Sequence, residues 1–124
     1  ISQAAALKAL ESGDDFLIER NNQFKIRRDM VVSNLNKCEG LNCNLPAGAF
    51  YVFPNIKQLI NRNLNGKTIK SSLDLCLNLL EEKFVASVAG NSFGAKENIR
   101  FSYATSEATI HEAMDRLEAL ISKI

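Results

Sequence analysis

The segment from residue 98 to residue 104 constrains the fold of this chain more than any other. It alternates between apolar and polar side chains, a period of two that is typical of a β-strand with one buried face. The apolar positions, which are predicted to face a core, are Ile99, Phe101 and Tyr103. Arg100 and Ser102 are predicted to point the other way, as polar residues do on the outer face of an antiparallel sheet. We therefore expect a small sheet with a helical layer packed on its apolar side.

Four other segments have the features of helices. Their predicted bounds are residues 1–11, 15–36, 71 or 72 to about 84, and 106 to about 123. Ser12-Gly13-Asp14 ends the first helix and caps the second, and serines stand where the third and fourth begin. The second helix carries one apolar stripe, which consists of Leu17, Phe24, Val31 and Leu35.

Three more strands are predicted, at residues 40–45, 49–53 and 85–88, and the first two should be joined by the turn Pro46-Ala47-Gly48. Residues 55–70 are rich in Asn and are expected to form a partly irregular surface stretch. The predicted order is α, α, β, β, α, β, β, α. The fold class is therefore α/β (α+β), a two-layer domain with helices packed on a small sheet.

Composition limits the classes of function. With 124 residues and 46% hydrophobic content, residues 1–124 should form one domain with a core. The 15 Lys and Arg residues nearly balance the 14 Asp and Glu residues, so we expect no nucleic acid and no membrane surface among the partners. The three cysteines, Cys38, Cys43 and Cys76, show neither zinc-site spacing nor an even number for disulfides, which indicates no metal site and a reducing, cytoplasmic setting.

Arg100 is the strongest candidate for chemistry, and two interpretations of it remain open. A guanidinium held on a strand can bind a carboxylate or phosphate through two parallel hydrogen bonds. The strand pattern taken alone is more typical of an ordinary solvated sheet face. The stretch from Gly90 to Gly94 could present N–H groups to an anion, but it is more typical of a plain turn.

Two other groups of residues are expected to have no special role. The basic residues Lys25, Arg27 and Arg28 alternate with acidic residues on one helix, which is typical of a solvated helix face. His111 lies beside the apolar stripe of the last helix. No Ser, Cys or carboxylate stands at a spacing from it that would indicate a catalytic site, so we expect it at the surface.

Taken in order, several segments resemble the C-terminal part of class I/II pyridoxal-phosphate-dependent aminotransferases, and the arginine strand is similar to that of bacterial aspartate aminotransferases. The resemblance covers nearly the whole chain, although Ala89 stands where the family usually has proline. The matching segments are Gln3–Leu7 with Ala9-Leu10, Arg27-Arg28-Asp29, Pro46–Phe53, Val85–Gly94 and Ile99–Glu107.

The resemblance implies the small domain of the pyridoxal-phosphate fold type I, with residues 1–36 as helices that link it to a large domain. It implies that Arg100 binds the α-carboxylate of the substrate. The substrates would be an amino acid, aspartate or glutamate, and a 2-oxo acid, and the parent enzyme would be a homodimer.

The resemblance also places pyridoxal 5'-phosphate and its lysine in a large domain upstream of Ile1. The chain starts with Ile and its first residues already have a helical pattern, which predicts a fragment. Because none of its lysines fits the motifs that bind the cofactor in the family it resembles, we expect this fragment to be inactive alone, with no catalytic residue and no bound cofactor. The alternative is a free-standing, non-enzymatic α/β module that binds small carboxylates or a protein partner through Arg100 or an exposed helix.

Overall fold

The computed structural model describes residues 1–124 and contains four α-helices and five short β-strands. The helices are α1 (Ser2–Glu11), α2 (Asp15–Lys37), α3 (Ser72–Lys83) and α4 (Glu107–Ile121). The strands are β1 (Tyr51–Val52), β2 (Asn63–Leu64), β3 (Lys67–Thr68), β4 (Val88–Ala89) and β5 (Ile99–Ser102). Single 3-10 turns span Lys57–Leu59 and Gly90–Phe93.

Strand β5 is the centre of the main sheet, whose strand order is β1-β5-β4, with antiparallel pairing on both sides. Tyr51 lies opposite Ser102, and Val88 lies opposite Arg100. Because directly paired residues share a face, these four side chains occupy the outer face of the sheet. The inner face carries Val52, Ile99 and Phe101.

The core lies between that inner face and helices α2, α3 and α4. Ile99 is fully buried, and Phe101 and Tyr103 are only 5% and 1% exposed, so the predicted alternation of this strand is confirmed. The helices contribute Val31, Val32 and Leu35 from α2, Leu75, Cys76 and Leu79 from α3, and Ile110, Met114, Leu117, Leu120 and Ile121 from α4. The two-layer α/β class is therefore confirmed.

Both predicted serine caps form. The Ser71 hydroxyl accepts a hydrogen bond from the Asp74 N–H at the start of α3. The Ser106 hydroxyl does the same for the Thr109 N–H at the start of α4. Each bond satisfies a backbone donor that has no partner inside its helix, which fixes where the helix begins.

The N-terminal helices contribute little to the core. Helix α1 buries no residue, and the buried residues of α2 all lie in its C-terminal third. Of the predicted stripe, Val31 and Leu35 are buried, whereas Leu17 is 40% exposed. None of the four helices is both long and apolar enough to cross a lipid bilayer.

The predicted strand at residues 40–45 is wrong. This segment forms only an isolated β-bridge, between Asn42 and Asn55, and no strand ladder. The Asn36 side chain satisfies its backbone instead, because the amide of Asn36 donates to the Cys43 carbonyl at 3.0 Å and accepts from the Cys43 N–H at 2.8 Å. A side chain therefore replaces a neighbouring strand, and no ladder forms.

The stretch at residues 55–70 was predicted as irregular, but it contains the hairpin β2–β3. Its turn residues Asn65 and Gly66 have φ values of 50° and 82°, the left-handed conformation that two-residue hairpin turns require. The predicted strand at 49–53 shortens to β1 because Ala49 also has a positive φ, 66°, which interrupts the extended backbone. The strand predicted at 85–88 forms later, at Val88–Ala89.

Candidate functional site

Arg100 lies on the outer face of the central strand, half-buried between aromatic rings. Its guanidinium carbon is 4.8 Å from the centroid of the Phe93 ring and 5.3 Å from that of Tyr51. Tyr51 belongs to β1, and Phe93 follows β4, so the two rings approach the guanidinium from opposite sides of β5. Both distances are within the range of cation–π attraction.

Phe53 is the third aromatic residue of the site. Phe53 and Phe93 meet edge to face, with centroids 5.9 Å apart and an interplanar angle of 88°. A cavity of about 130 Å³ is lined by Tyr51, Phe53, Phe93 and Arg100, and we call it the aromatic cup. The cup therefore combines one cation with apolar walls.

Arg100 has no ionic partner in the chain. The four ion pairs are Arg28–Asp29, Lys57–Glu97, Arg62–Glu39 and Arg116–Glu112. The side chain of Arg100 makes no hydrogen bond within the chain. The side-chain atoms that are buried without a partner belong to Arg27 and Ser87, not to Arg100. Its N–H donors therefore reach the surface and can bind an anion with the geometry of a carboxylate.

The loop that carries Phe93 is held by its glycine. A Cβ atom at Gly90 would collide with the carbonyl oxygens of Ala95 and Asn98. The close approach allows the Gly90 N–H to donate to the Asn98 carbonyl at 2.8 Å and the Ala95 N–H to donate to the Gly90 carbonyl at 3.0 Å. These bonds close the loop between β4 and β5 with Ala89 at its start.

Helix α3 provides a second anchor for this loop. The hydroxyl of Ser72, which is fully buried, lies 3.4 Å from the side-chain oxygen of Asn91 and donates a hydrogen bond to it. Gly94 then ends the 3-10 turn in the left-handed conformation with φ 75°. The loop is thus an ordered turn that presents Phe93 to Arg100.

The basic residues of α2 differ partly from the prediction of a solvated face. Lys25 is exposed, but Arg28 pairs with Asp29 at 2.8 Å and donates to the carbonyl of Pro46 at 3.1 Å. Arg28 therefore ties α2 to the turn before β1. Arg27 is also half-buried, with its guanidinium carbon 5.8 Å from the ring centroid of Phe24.

The remaining sequence candidates lie away from the aromatic cup. His111 is exposed on α4, as predicted. All three cysteines are buried and free, and burial raises the pKa of each thiol, which disfavours the reactive thiolate. No group of three or more His, Cys, Asp and Glu side chains is arranged to hold a metal ion.

Sequence reasoning identified Arg100 but did not assign its three aromatic neighbours to the site. A signal for two of them was present, since Tyr51 and Phe53 alternate with the buried Val52 and so share the outer face with Arg100. Phe93 lies on a loop, where no periodicity indicates direction, and only the fold brings it to the cup.

The chain is similar in sequence and in fold to known aminotransferases. The aspartate aminotransferase of Rhizobium meliloti (strain 1021) is 45% identical over 125 residues, which cover 100% of this chain and 30% of that protein. The probable aspartate/prephenate aminotransferase of Rhizobium leguminosarum bv. phaseoli is 45% identical over 119 residues, 95% of this chain and 30% of that protein. The chain thus spans about 30% of the length of the curated relatives it matches.

The fold comparison agrees. The crystal structure of the aspartate aminotransferase from Rhizobium meliloti superposes with a TM-score of 0.93 at 45% identity, over 98% of this chain and 31% of that chain. The family model described as aminotransferase class I and II matches residues 1–117. The chain belongs to the class I and II aminotransferase family.

Proposed function

We propose that residues 1–124 are the small domain of a longer transaminase, in which Arg100 binds the α-carboxylate of the substrate. The observation that carries this proposal is the Arg100 guanidinium in the aromatic cup, with donors at the surface and no partner in the chain. A solvated sheet face would not require three aromatic rings around its arginine. The reaction would exchange the amino group of an amino acid for the oxo group of a 2-oxo acid.

The chemistry of Arg100 suits a substrate anchor better than a catalytic group. Its guanidinium offers a planar pair of N–H donors that matches the two oxygens of a carboxylate. A substrate held at its carboxylate keeps its amino or oxo carbon at a fixed position. Arg100 would therefore orient the substrate and leave proton transfer and bond breaking to other groups.

The family implies pyridoxal 5'-phosphate in the longer enzyme, which is the group that supplies the electron sink for transamination. The residues of this chain do not fit that group. A lysine that forms a Schiff base is activated by a desolvated or cationic setting, whereas all lysines here are exposed except the half-buried Lys83. No lysine lines the aromatic cup. We expect the cofactor contacts to come from outside residues 1–124.

The substrates and partners follow from the same proposal. The two relatives described above are named for aspartate or aspartate/prephenate, and we propose aspartate or glutamate with the matching 2-oxo acid for this enzyme. Residues 1–36 would link the small domain to the rest of the protein, which we expect to be a cytoplasmic homodimer. Family membership favours this proposal over the free-standing carboxylate-binding module.

The test is steady-state kinetics of Arg100→Ala and Arg100→Lys in the longer enzyme. Removing one member of a buried charge pair costs on the order of 2–5 kcal/mol, so kcat/KM for the amino acid should fall by roughly 30-fold or more in Arg100→Ala. Arg100→Lys should fall less, because it keeps the charge but loses the two-pronged hydrogen bonding.

Arg62→Ala is the matched control, because Arg62 is a surface arginine whose ion pair with Glu39 measures 3.4 Å. It should retain near-normal kcat/KM, since exposed ion pairs contribute little. Cofactor absorbance should be unchanged in all three variants. Near-normal kcat/KM for both amino acid and oxo acid in the two Arg100 variants would overturn the proposal.

A further inference from the structure

We propose that Phe93 is a positioning residue that holds the Arg100 guanidinium ready for a carboxylate and helps to exclude water from the pair; this rests on the proposed function of Arg100. An arginine side chain without a partner samples many rotamers, and binding must then order it. Here the guanidinium is already confined, with its carbon 4.8 Å from the Phe93 centroid and 5.3 Å from that of Tyr51. Confinement before binding lowers the entropy lost when a substrate arrives.

Phe93 is the better placed of the two rings for this role. Its centroid is nearer to the guanidinium than that of Tyr51, and Phe93 packs edge to face on Phe53, another ring of the cup, whereas Tyr51 packs on Phe50, which does not line it. The ring therefore has contacts with an arginine and with a second aromatic residue. Its loop position alone would not restrict it to this degree.

The loop supplies the rest of the support. Gly90 closes it through a backbone approach that no other residue allows, and the fully buried Ser72 binds Asn91 two positions before Phe93. The support thus runs from Ser72 at the start of α3 to Asn91, along the chain to Phe93, and from that ring to Arg100. Each contact fixes the next, as the supporting shell of a binding site must.

The walls of the aromatic cup also affect the strength of the ion pair. Three of its four side chains are aromatic, so few polar groups compete with the carboxylate for the guanidinium. Charges attract more strongly where water is displaced. An ion pair between Arg100 and a carboxylate should therefore be stronger in the cup than in open solvent.

The experiment is a double-mutant cycle in the longer enzyme, with KM for the amino acid and the Kd of succinate, a dicarboxylate with no amino group, as readouts. Phe93→Leu should raise both by about threefold to tenfold, as expected for the loss of one cation–π contact in a partly desolvated site. The value of kcat should change less than KM, because the contact acts on substrate and transition state alike. Phe93→Tyr keeps the ring and should restore near-normal values.

The second arm distinguishes positioning from a structural role. If Phe93 acts through Arg100, adding Phe93→Leu to Arg100→Ala should change the Kd of succinate by less than about twofold. Phe84→Leu is the control, because Phe84 is a 79% exposed phenylalanine outside the cup, and it should leave KM unchanged.

The outcomes separate the two proposals. Normal KM and Kd in Arg100→Ala would overturn the function of Arg100, and this inference with it. An impaired Arg100→Ala beside a normal Phe93→Leu would overturn only the role of Phe93. An equal loss from Phe93→Leu with and without Arg100 would also overturn it, because the effect would then come from the loop alone.

Discussion

The hydroxyl of Tyr103 donates a 2.9 Å hydrogen bond to the carbonyl oxygen of Ala49. Tyr103 follows β5 and Ala49 precedes β1, and the Tyr103 N–H also donates to the Phe50 carbonyl at 2.8 Å. The two bonds join the adjacent strands that carry Arg100 and Tyr51. The alignment of the aromatic cup therefore depends in part on a buried tyrosine on the opposite face of the sheet.

Tyr103→Phe should lower the free energy of unfolding by about 1–2 kcal/mol, because it leaves the Ala49 carbonyl without its partner while keeping the ring in the core. Urea unfolding followed by circular dichroism measures the change. Tyr51→Phe is the comparison, since the Tyr51 hydroxyl has no hydrogen-bond partner in the chain and Tyr51 is 38% exposed. Equal stability losses in the two variants would contradict the importance of the Tyr103 bond.

Gly90→Ala should destabilise the chain by roughly 1–3 kcal/mol, the usual cost of forcing extra atoms into a packed site. The reason is the collision of the new Cβ with backbone oxygens of Ala95 and Asn98, which cannot rotate away as a side chain would. Gly48→Ala is a matched control, because nothing lies within 4 Å of a Cβ at Gly48 and its φ is not positive. Thermal unfolding of both variants is the measurement, and similar melting temperatures would refute the constraint at Gly90.

Alkaline pH should destabilise the fold. Burial raises the pKa of the Cys38, Cys43 and Cys76 thiols and of the Tyr103 phenol. These groups ionise at their ordinary values of about 8.5 and 10 once the chain unfolds, so the unfolded state releases protons that the folded state keeps. Their contribution to stability is complete below about pH 8 and is lost as the pH rises through the raised values.

Urea unfolding at pH 7 and pH 9.5 tests this sign. The midpoint should be lower at pH 9.5, and Cys76→Ala should reduce the difference because one titrating thiol is removed. An unchanged or higher urea midpoint at pH 9.5 would show that the buried thiols do not determine how stability changes at alkaline pH.

Residues 1–124 expressed alone should self-associate. Helices α1 and α2 expose a set of large apolar side chains that includes Leu10 at 84%, Ile18 at 66% and Ile26 at 52%. Contiguous apolar patches of more than a few hundred Å² are uncommon on monomers and mark contact surfaces. Sedimentation velocity over a range of concentrations should detect dimers or larger species.

The double variant Leu10→Gln with Ile18→Gln should shift this equilibrium towards monomer. Leu45→Gln, which changes an exposed leucine outside these helices, should not. A monomer at every concentration of the unmodified chain would argue against the proposal that α1 and α2 pack on the rest of a longer protein.

The helices and the arginine strand were predictable because their signals are local. Ser71 and Ser106 cap the helices they precede, and the alternation around Arg100 needs only a period of two. The hairpin at Asn65-Gly66 was missed although that pair is a strong hairpin signal, because its strands have only two residues each and show no alternation.

The errors elsewhere arose from tertiary contacts. The segment around Cys43 is extended and partly buried like a strand, but its backbone bonds to the Asn36 side chain. No sequence pattern predicts that contact. The same holds for Phe93, whose contact with Arg100 exists only when β4 and β5 are paired. The family resemblance indicated which arginine matters, whereas the environment of that arginine required the fold.

Helix α2 extends as one uninterrupted element from a region without a core into the centre of one. Residues 15–23 form an arm of about 14 Å at the usual rise of a helix, and contact with the core begins at Phe24, which packs against it. The backbone amides of the arm should exchange with solvent far faster than those beyond Phe24, since opening the arm exposes little buried surface. The C-terminal part of α2 contacts β1, the strand that carries Tyr51 of the aromatic cup, so a displacement of α2 would be passed on first to that strand.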